Sequence, residues 1–326
     1  MKHSQKLLLS IGLTAGLGLG AANTAFASAI GYTTLSTQNS QFLDANTGVE
    51  LAEGADVTIK SHNTSANQNV FHSVYGIDAQ AGSALVAGTP VDAVQACVGP
   101  AGSCAAAGQN NWDQTYPVPG TTVARADSQF TSSLSPTAPG SINLAKNGLA
   151  NPNDADVYTV AEGILNETSN ASGSATIVGN NTVTMNIVAG GTAGDIRNVL
   201  FVGDLFAAAY AECTAGVVNC SAEGTSTLTI TVLDQTTGLT VLPTTTIASI
   251  QASTGIPGQI VNPADINTPF AVSFDLIQGN DINIVLRQVS SMSVSVEQPV
   301  PEPATLGLFG AGLLGLAGMR RRRNRA

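Results

Sequence analysis

The chain is 326 residues long, with 12 Lys and Arg against 22 Asp and Glu and a formal charge of −10 at pH 7. Seven of the twelve cations lie in the first six and last seven residues, so the long middle keeps only Lys60, Arg125, Lys146, Arg197 and Arg287. A body so short of positive charge has no footprint for a phosphate backbone, which excludes nucleic acid as a partner.

Residues 1–29 read as an export signal. Lys2 and Lys6 make a basic start, residues 7–22 an apolar stretch, and Ala25-Phe26-Ala27 or Ala27-Ser28-Ala29 a small-residue cleavage frame. The Sec translocon and signal peptidase are therefore expected partners, and residues 30–297 an extracellular domain.

That domain is rich in Thr, Ser, Asn, Gly and Ala. Disorder is disfavoured because Val, Ile and Thr are abundant and fall in alternating runs. Residues 56–60, 69–75, 121–126, 156–161 and 175–178 are short strand candidates. A helical turn is expected at 90–96, where Pro90 opens it, while 204–213 suits helix or strand equally. The segment 136–152 is rich in Pro, Gly, Asn and Ser and marks a candidate subdivision.

The clearest patterns come later. Thr182-Val183-Thr184-Met185-Asn186-Ile187 and Thr227-Leu228-Thr229-Ile230-Thr231-Val232 put apolar residues on one face and polar ones on the other. The sets Val272/Phe274/Leu276, Ile282/Ile284/Leu286 and Met292/Val294/Val296 repeat the period of two, the mark of a strand with one buried and one wet face. Turn compositions at Gln278-Gly279-Asn280-Asp281 and Ser290-Ser291 predict that these three sets form a meander. The expected fold is mainly β, an antiparallel β-sandwich with long loops, flanked by the signal peptide and a C-terminal transmembrane helix.

Four cysteines fall in two C-x6-C pairs, Cys97 with Cys104 and Cys213 with Cys220. In an oxidising compartment local pairing closes the shortest loops, so two stapled loops are expected. Zinc pairs are usually spaced more tightly.

No signature of catalysis appears. His62 and His72 are the only histidines after the leader, and there is no G-x-S-x-G, H-E-x-x-H or P-loop. A calcium-loop spacing from Asn151 to Glu162 lacks its Gly and reads as an Asx-rich turn. No metal, cofactor or catalytic residue is expected. Trp112, the single Trp, lies with Tyr116 in a Gly/Asn/Pro-rich stretch and is the candidate glycan platform, although packing of that loop is the simpler role.

The C-terminal segment 298–326 is a sorting tail. Gln298 to Pro303 is a Pro-rich spacer, residues 304–319 are apolar or Gly apart from Thr305, and Arg320, Arg321, Arg322, Arg323 and Arg325 follow. As a helix the apolar run is about 24 Å long, a short membrane span that flanking Arg side chains help to accommodate. The Arg cluster stays on the cytoplasmic side, so the body is outside. A GxGxxG at 310–315 is no nucleotide loop, since the chain has no room after it for a βαβ unit.

Val300-Pro301-Glu302-Pro303, the Gly/Leu-rich run and the terminal Arg cluster together resemble the PEP-CTERM sorting signal of Gram-negative bacteria that make exopolysaccharide. The resemblance covers only the tail. It implies recognition at Pro301-Glu302-Pro303 by an exosortase in the inner membrane, transient anchoring, and delivery to the cell surface or outside the cell. The expected function is that of a non-enzymatic surface or extracellular-matrix protein, structural or adhesive in a biofilm and in contact with exopolysaccharide. The alternative is an exported polysaccharide-binding lectin or polysaccharide-active enzyme.

Overall fold

The computed structural model describes residues 27–52, 54–73, 77–86, 94–99, 123–130, 157–167, 173–214 and 219–297. Every regular element among them is a β-strand: β1 (Ala27–Asp44), β2 (Val57–His72), β3 (Ile77–Val86), β4 (Val94–Val98), β5 (Val123–Phe130), β6 (Val157–Glu167), β7 (Gly173–Ala189), β8 (Ile196–Cys213), β9 (Asn219–Asp234), β10 (Leu239–Thr254), β11 (Ile260–Val261), β12 (Ile266–Ile277) and β13 (Asp281–Glu297). All pairings are antiparallel. The first sheet runs β11-β8-β1-β6-β5-β4, with β12 also on β8; the second runs β10-β9-β13-β7-β2-β3.

Where the two sheets meet, glycines make room for larger side chains. Gly31 and Gly224 lie on opposite sides of Met292, and a Cβ on either would overlap its thioether. Gly163 leaves similar room for Ile177 and Val294. Between the sheets the core has two halves. Ala29, Leu165, Ile177, Ala222, Met292, Val294 and Val296 belong to one, and Phe42, Leu51, Met185, Phe201, Ile230 and Leu276 to the other. In the second, Phe42 and Phe201 stack with ring centroids 4.8 Å apart.

A seam of buried hydroxyls separates the halves and joins the sheets. Thr33 of β1 bonds Ser226 of β9, Ser226 Oγ lies 2.8 Å from Ser290 Oγ of β13, and Ser290 Oγ lies 2.9 Å from Thr159 Oγ1 of β6. Beside it, Gln288 Nε2 donates to Thr37 Oγ1 at 3.3 Å and to the carbonyl of Val157 at 3.4 Å. Polar groups are tolerated between two hydrophobic layers only when bonded this way.

Three expectations are corrected. The predicted turn at Ser290-Ser291 is absent, because β13 continues through it from Asp281 to Glu297. Ser290 points inward to the seam while Ser291 faces out, so the pair follows strand alternation. Nor do the late strands form a meander. The turn at 278–280 exists, with Gly279 at φ 87°, but β12 pairs with β8 in the first sheet whereas β13 pairs with β7 and β9 in the second. The helical turn expected at 90–96 is also overturned where it is described, since Val94–Val98 is strand β4. The ambiguous stretch 204–213 lies within β8.

Candidate functional site

Two regions of this fold bear on function: the pole from which the tail leaves, and the outward face of the second sheet. At the pole, β1 begins and β13 ends. Ala29 pairs with Cys213, and Glu297 pairs with Asn219 beside Cys220. Cys213 and Cys220 form a disulfide with Cα atoms 5.8 Å apart. It joins the last residue of β8 in one sheet to the start of β9 in the other, so it closes this end of the molecule. Neighbouring backbone reinforces it, as Cys213 N donates to the Gln259 carbonyl at 3.0 Å and Gly258 N to the Cys213 carbonyl at 2.7 Å.

Three residues separate Glu297 from Pro301. Even fully extended, those four Cα steps span at most about 14 Å. The sorting motif is therefore tethered close to the stapled pole. Opposite this pole lie the 45–56 loop and the turns at 190–195, 235–238 and 278–280. Arg197 binds Asp56 there at 2.7 Å, and Lys60 binds Asp281 at 2.5 Å.

The outward face of the second sheet carries many uncharged polar groups, with Val178, Val285 and Val289 between them and the exposed Phe71 on β2. Strand alternation turns Thr225, Thr227, Thr229 and Thr231 of β9 outward, and in register beside them lie Ser291, Val289, Arg287 and Val285 of β13, with Ser293 and Asn283 further along the same face. Thr176, Asn180, Thr182, Thr184 and Asn186 of β7 follow, then Ser61, Ser65, Asn67 and Asn69 of β2. Ser249, Gln251 and Ser253 of β10 extend the face on the other side. One row across it reads Thr246, Thr229, Arg287, Thr182, Ser65. The rows on either side place Val289 between Thr227 and Asn180, and Val285 between Thr231 and Thr184; successive rows lie about 6.8 Å apart along the strands, with about 4.7–4.9 Å between strands.

Several of these groups are already fixed. Asn186 Nδ2 donates to Ser61 Oγ at 2.6 Å and Asn283 Nδ2 to Asn186 Oδ1 at 2.6 Å. Thr231 and Thr244 hydroxyls lie 2.9 Å apart. Arg287 is bound to Asn180 Oδ1 at 3.0 Å, and Glu223 accepts from Gln251 Nε2 at 3.1 Å. The chemistry on offer is dense, neutral hydrogen bonding on a preorganised plane.

The outward face of the first sheet differs sharply. Ile30, Tyr32, Tyr158, Val160 and Ile164 point away from the second sheet yet are all buried. Arg125 and Glu162 form an ion pair among them, and Tyr210 Oη donates to Glu212 Oε2 at 2.5 Å. Burial, reinforced by the neighbouring Tyr158, pushes the Tyr32 hydroxyl far above its ordinary range, so it stays protonated. Glu162, the last position of the calcium-loop spacing, is thus committed to Arg125. Among the described residues no three His, Cys, Asp or Glu side chains gather as a metal site.

Of the residues singled out in the sequence, Cys213 and Cys220 are brought together as expected. Cys97 lies on β4 and is disulfide-bonded. Cys104, Trp112, Tyr116, the leader before Ala27, the 136–152 segment, Pro301, Glu302, Pro303, the apolar run and Arg320, Arg321, Arg322, Arg323 and Arg325 lie outside the described residues. The array on the second sheet was not foreseen as a site, although the alternating Thr residues of β9 and β7 carried its signal.

The described body is thus an antiparallel β protein with the start of β1 and the end of β13 at one disulfide-closed pole, joined by a short tether to the C-terminal segment. Residues 299–323 match the family model described as the PEP-CTERM protein-sorting motif. This motif implies export, transient membrane anchoring and processing by exosortase before release to the cell surface. No curated protein matches the chain. Among solved structures, the infectious bursal disease virus VP2 subviral particle aligns over 91% of this chain and 89% of its own at 13% identity, with a TM-score of 0.09.

Proposed function

We propose that this protein is a non-catalytic component of the cell surface or extracellular matrix that contacts exopolysaccharide through the outward face of its second sheet, in a structural or adhesive role. The observation that carries the reading is the array of Thr, Ser and Asn on five adjacent strands, whose charged members Lys60, Glu223, Asp281, Arg287 and Glu297 are each hydrogen-bonded or ion-paired within it. Many weak neutral contacts suit a hydrated polymer of hydroxyl groups, where multivalency rather than one deep pocket supplies the affinity. The acidic body disperses in such a polymer instead of collapsing on it.

The test is co-sedimentation of the mature protein with exopolysaccharide from the producing cells. The triple variant Thr182→Val/Thr227→Val/Thr229→Val keeps strand propensity and shape while deleting three hydroxyls of the face. It is expected to bind at least tenfold more weakly, whereas Trp112→Ala binds as wild type. The opposite outcome, loss with Trp112→Ala and none with the triple variant, replaces this reading with a lectin built on Trp112 and Tyr116. Shortening of the polysaccharide during incubation would instead identify an enzyme. Replacing Pro301, Glu302 and Pro303 by Ala is expected to leave the protein unprocessed in the inner membrane.

A further inference from the structure

The geometry points to signal-peptide cleavage between Ala27 and Ser28. Both available frames place small residues at the two positions that signal peptidase reads, Ala25 and Ala27 in the first, Ala27 and Ala29 in the second. Sequence leaves them equal, and the fold separates them. The inference rests on the export reading and adds the residue at which the mature chain starts.

Ser28 is clamped to the stapled pole. Its backbone N–H donates to Thr214 Oγ1 at 2.8 Å, while Thr214 N and Thr214 Oγ1 both donate to the Ser28 carbonyl at 3.0 Å. Thr214 follows Cys213 directly, so this clamp ties the start of β1 to the disulfide. Ala29 is fully buried, pairs with Cys213 on one side and Leu165 on the other, and belongs to the core between the sheets. Ile30 is 1% exposed.

Hydrolysis after Ala29 would remove the clamp and the buried Ala29 methyl. It would also create a protonated amine on Ile30, between Ile164 and Glu212 in a buried stretch of sheet. An ionised group there meets a heavy desolvation cost. Hydrolysis after Ala27 breaks the amide between Ala27 and Ser28, water giving its hydroxyl to the Ala27 carbonyl and its proton to the Ser28 nitrogen. The new ammonium then sits on a residue that is only half-buried. It can still donate to Thr214 Oγ1, and the whole of the clamp survives.

Mass spectrometry of the N-terminal peptide from native processed protein is expected to show Ser28 as the first residue. A processed chain beginning at Ile30 overturns this inference and leaves the export reading intact; a chain still beginning at Met1 overturns both. Ala25→Asp, outside the body and in the first frame alone, supplies a second measurement: the chain that starts at Ser28 should fall at least tenfold, replaced by precursor or by a chain that starts at Ile30. An undiminished Ser28 start in that variant would overturn the assignment.

Discussion

Replacing Ser290 by Ala tests what joins the two sheets. Ser290 is fully buried, and its hydroxyl bonds Ser226 at 2.8 Å, Thr159 Oγ1 at 2.9 Å and the Thr159 carbonyl at 3.3 Å. In Ser290→Ala, Ser226 keeps Thr33, but Thr159 Oγ1 loses its side-chain partner inside a closed core. Leaving one buried hydroxyl unbonded costs about 1–3 kcal/mol. For the body of about 270 residues, unfolding entropy of roughly 2.1 cal/mol/K per residue converts this into a fall in melting temperature of about 2–5 °C. The decisive comparison is the variant Thr33→Val/Thr159→Val/Ser226→Ala/Ser290→Ala, in which no orphaned hydroxyl remains. It should lose less than the sum of the four single variants, since members of one network are not additive. Thermal unfolding followed by circular dichroism reads all five proteins. Single variants that leave the melting temperature unchanged, or a quadruple variant that loses the full sum, would refute the seam as a coupled element.

Opening the disulfide by Cys213→Ala/Cys220→Ala should cost about 2.5 kcal/mol, the loop-closure entropy for a separation of 7 residues; an unchanged denaturation midpoint would show that backbone bonds alone close the pole. Acid stability should depend on Asp234. Burial pushes its carboxyl up, but bonds from Asn280 Nδ2 at 2.7 Å and Thr237 N at 3.0 Å, with others from Thr236 and Thr237, outweigh burial and hold it below its ordinary value. A depressed carboxylate stabilises the fold above its unfolded pKa of about 3.9 and loses that contribution as pH falls through the folded value. Asp234→Asn is thus expected to be less stable than wild type at pH 7 and to approach it below about pH 3, which urea titrations at both pH values would check.

How much was legible depended on whether a strand has one wet face. β7, β9 and β13 alternate cleanly because their outer residues meet solvent, and Thr182–Ile187 and Thr227–Val232 carried that pattern openly. β1 and the middle of β8 are buried on both faces, so Ile30-Gly31-Tyr32-Thr33-Thr34-Leu35 and Ala207-Ala208-Ala209-Tyr210 show no alternation. β1 was missed for this reason, and 204–213 was left between helix and strand. Ser290-Ser291 misled because hydroxyls that suit a turn also suit a buried network, and local composition does not show which partner they will meet. The partition of β12 and β13 between sheets rests on pairings as distant as Phe274 with Val199, which no local pattern encodes. Cys213 with Cys220 was legible because the constraint is local.

The placement of β13 links fold to sorting. It is the central strand of the second sheet, bonded along almost its whole length to both β7 and β9, and it is also the strand nearest the tail. The second sheet cannot close without β13 as far as Glu297. While the tail is attached, the disulfide pole stays within about 25 Å of the apolar run, since seven Cα steps separate Glu297 from Ala304. Every described strand precedes Pro301. A processing event at the motif then takes no hydrogen bond from either sheet and leaves the polar face of the second sheet whole.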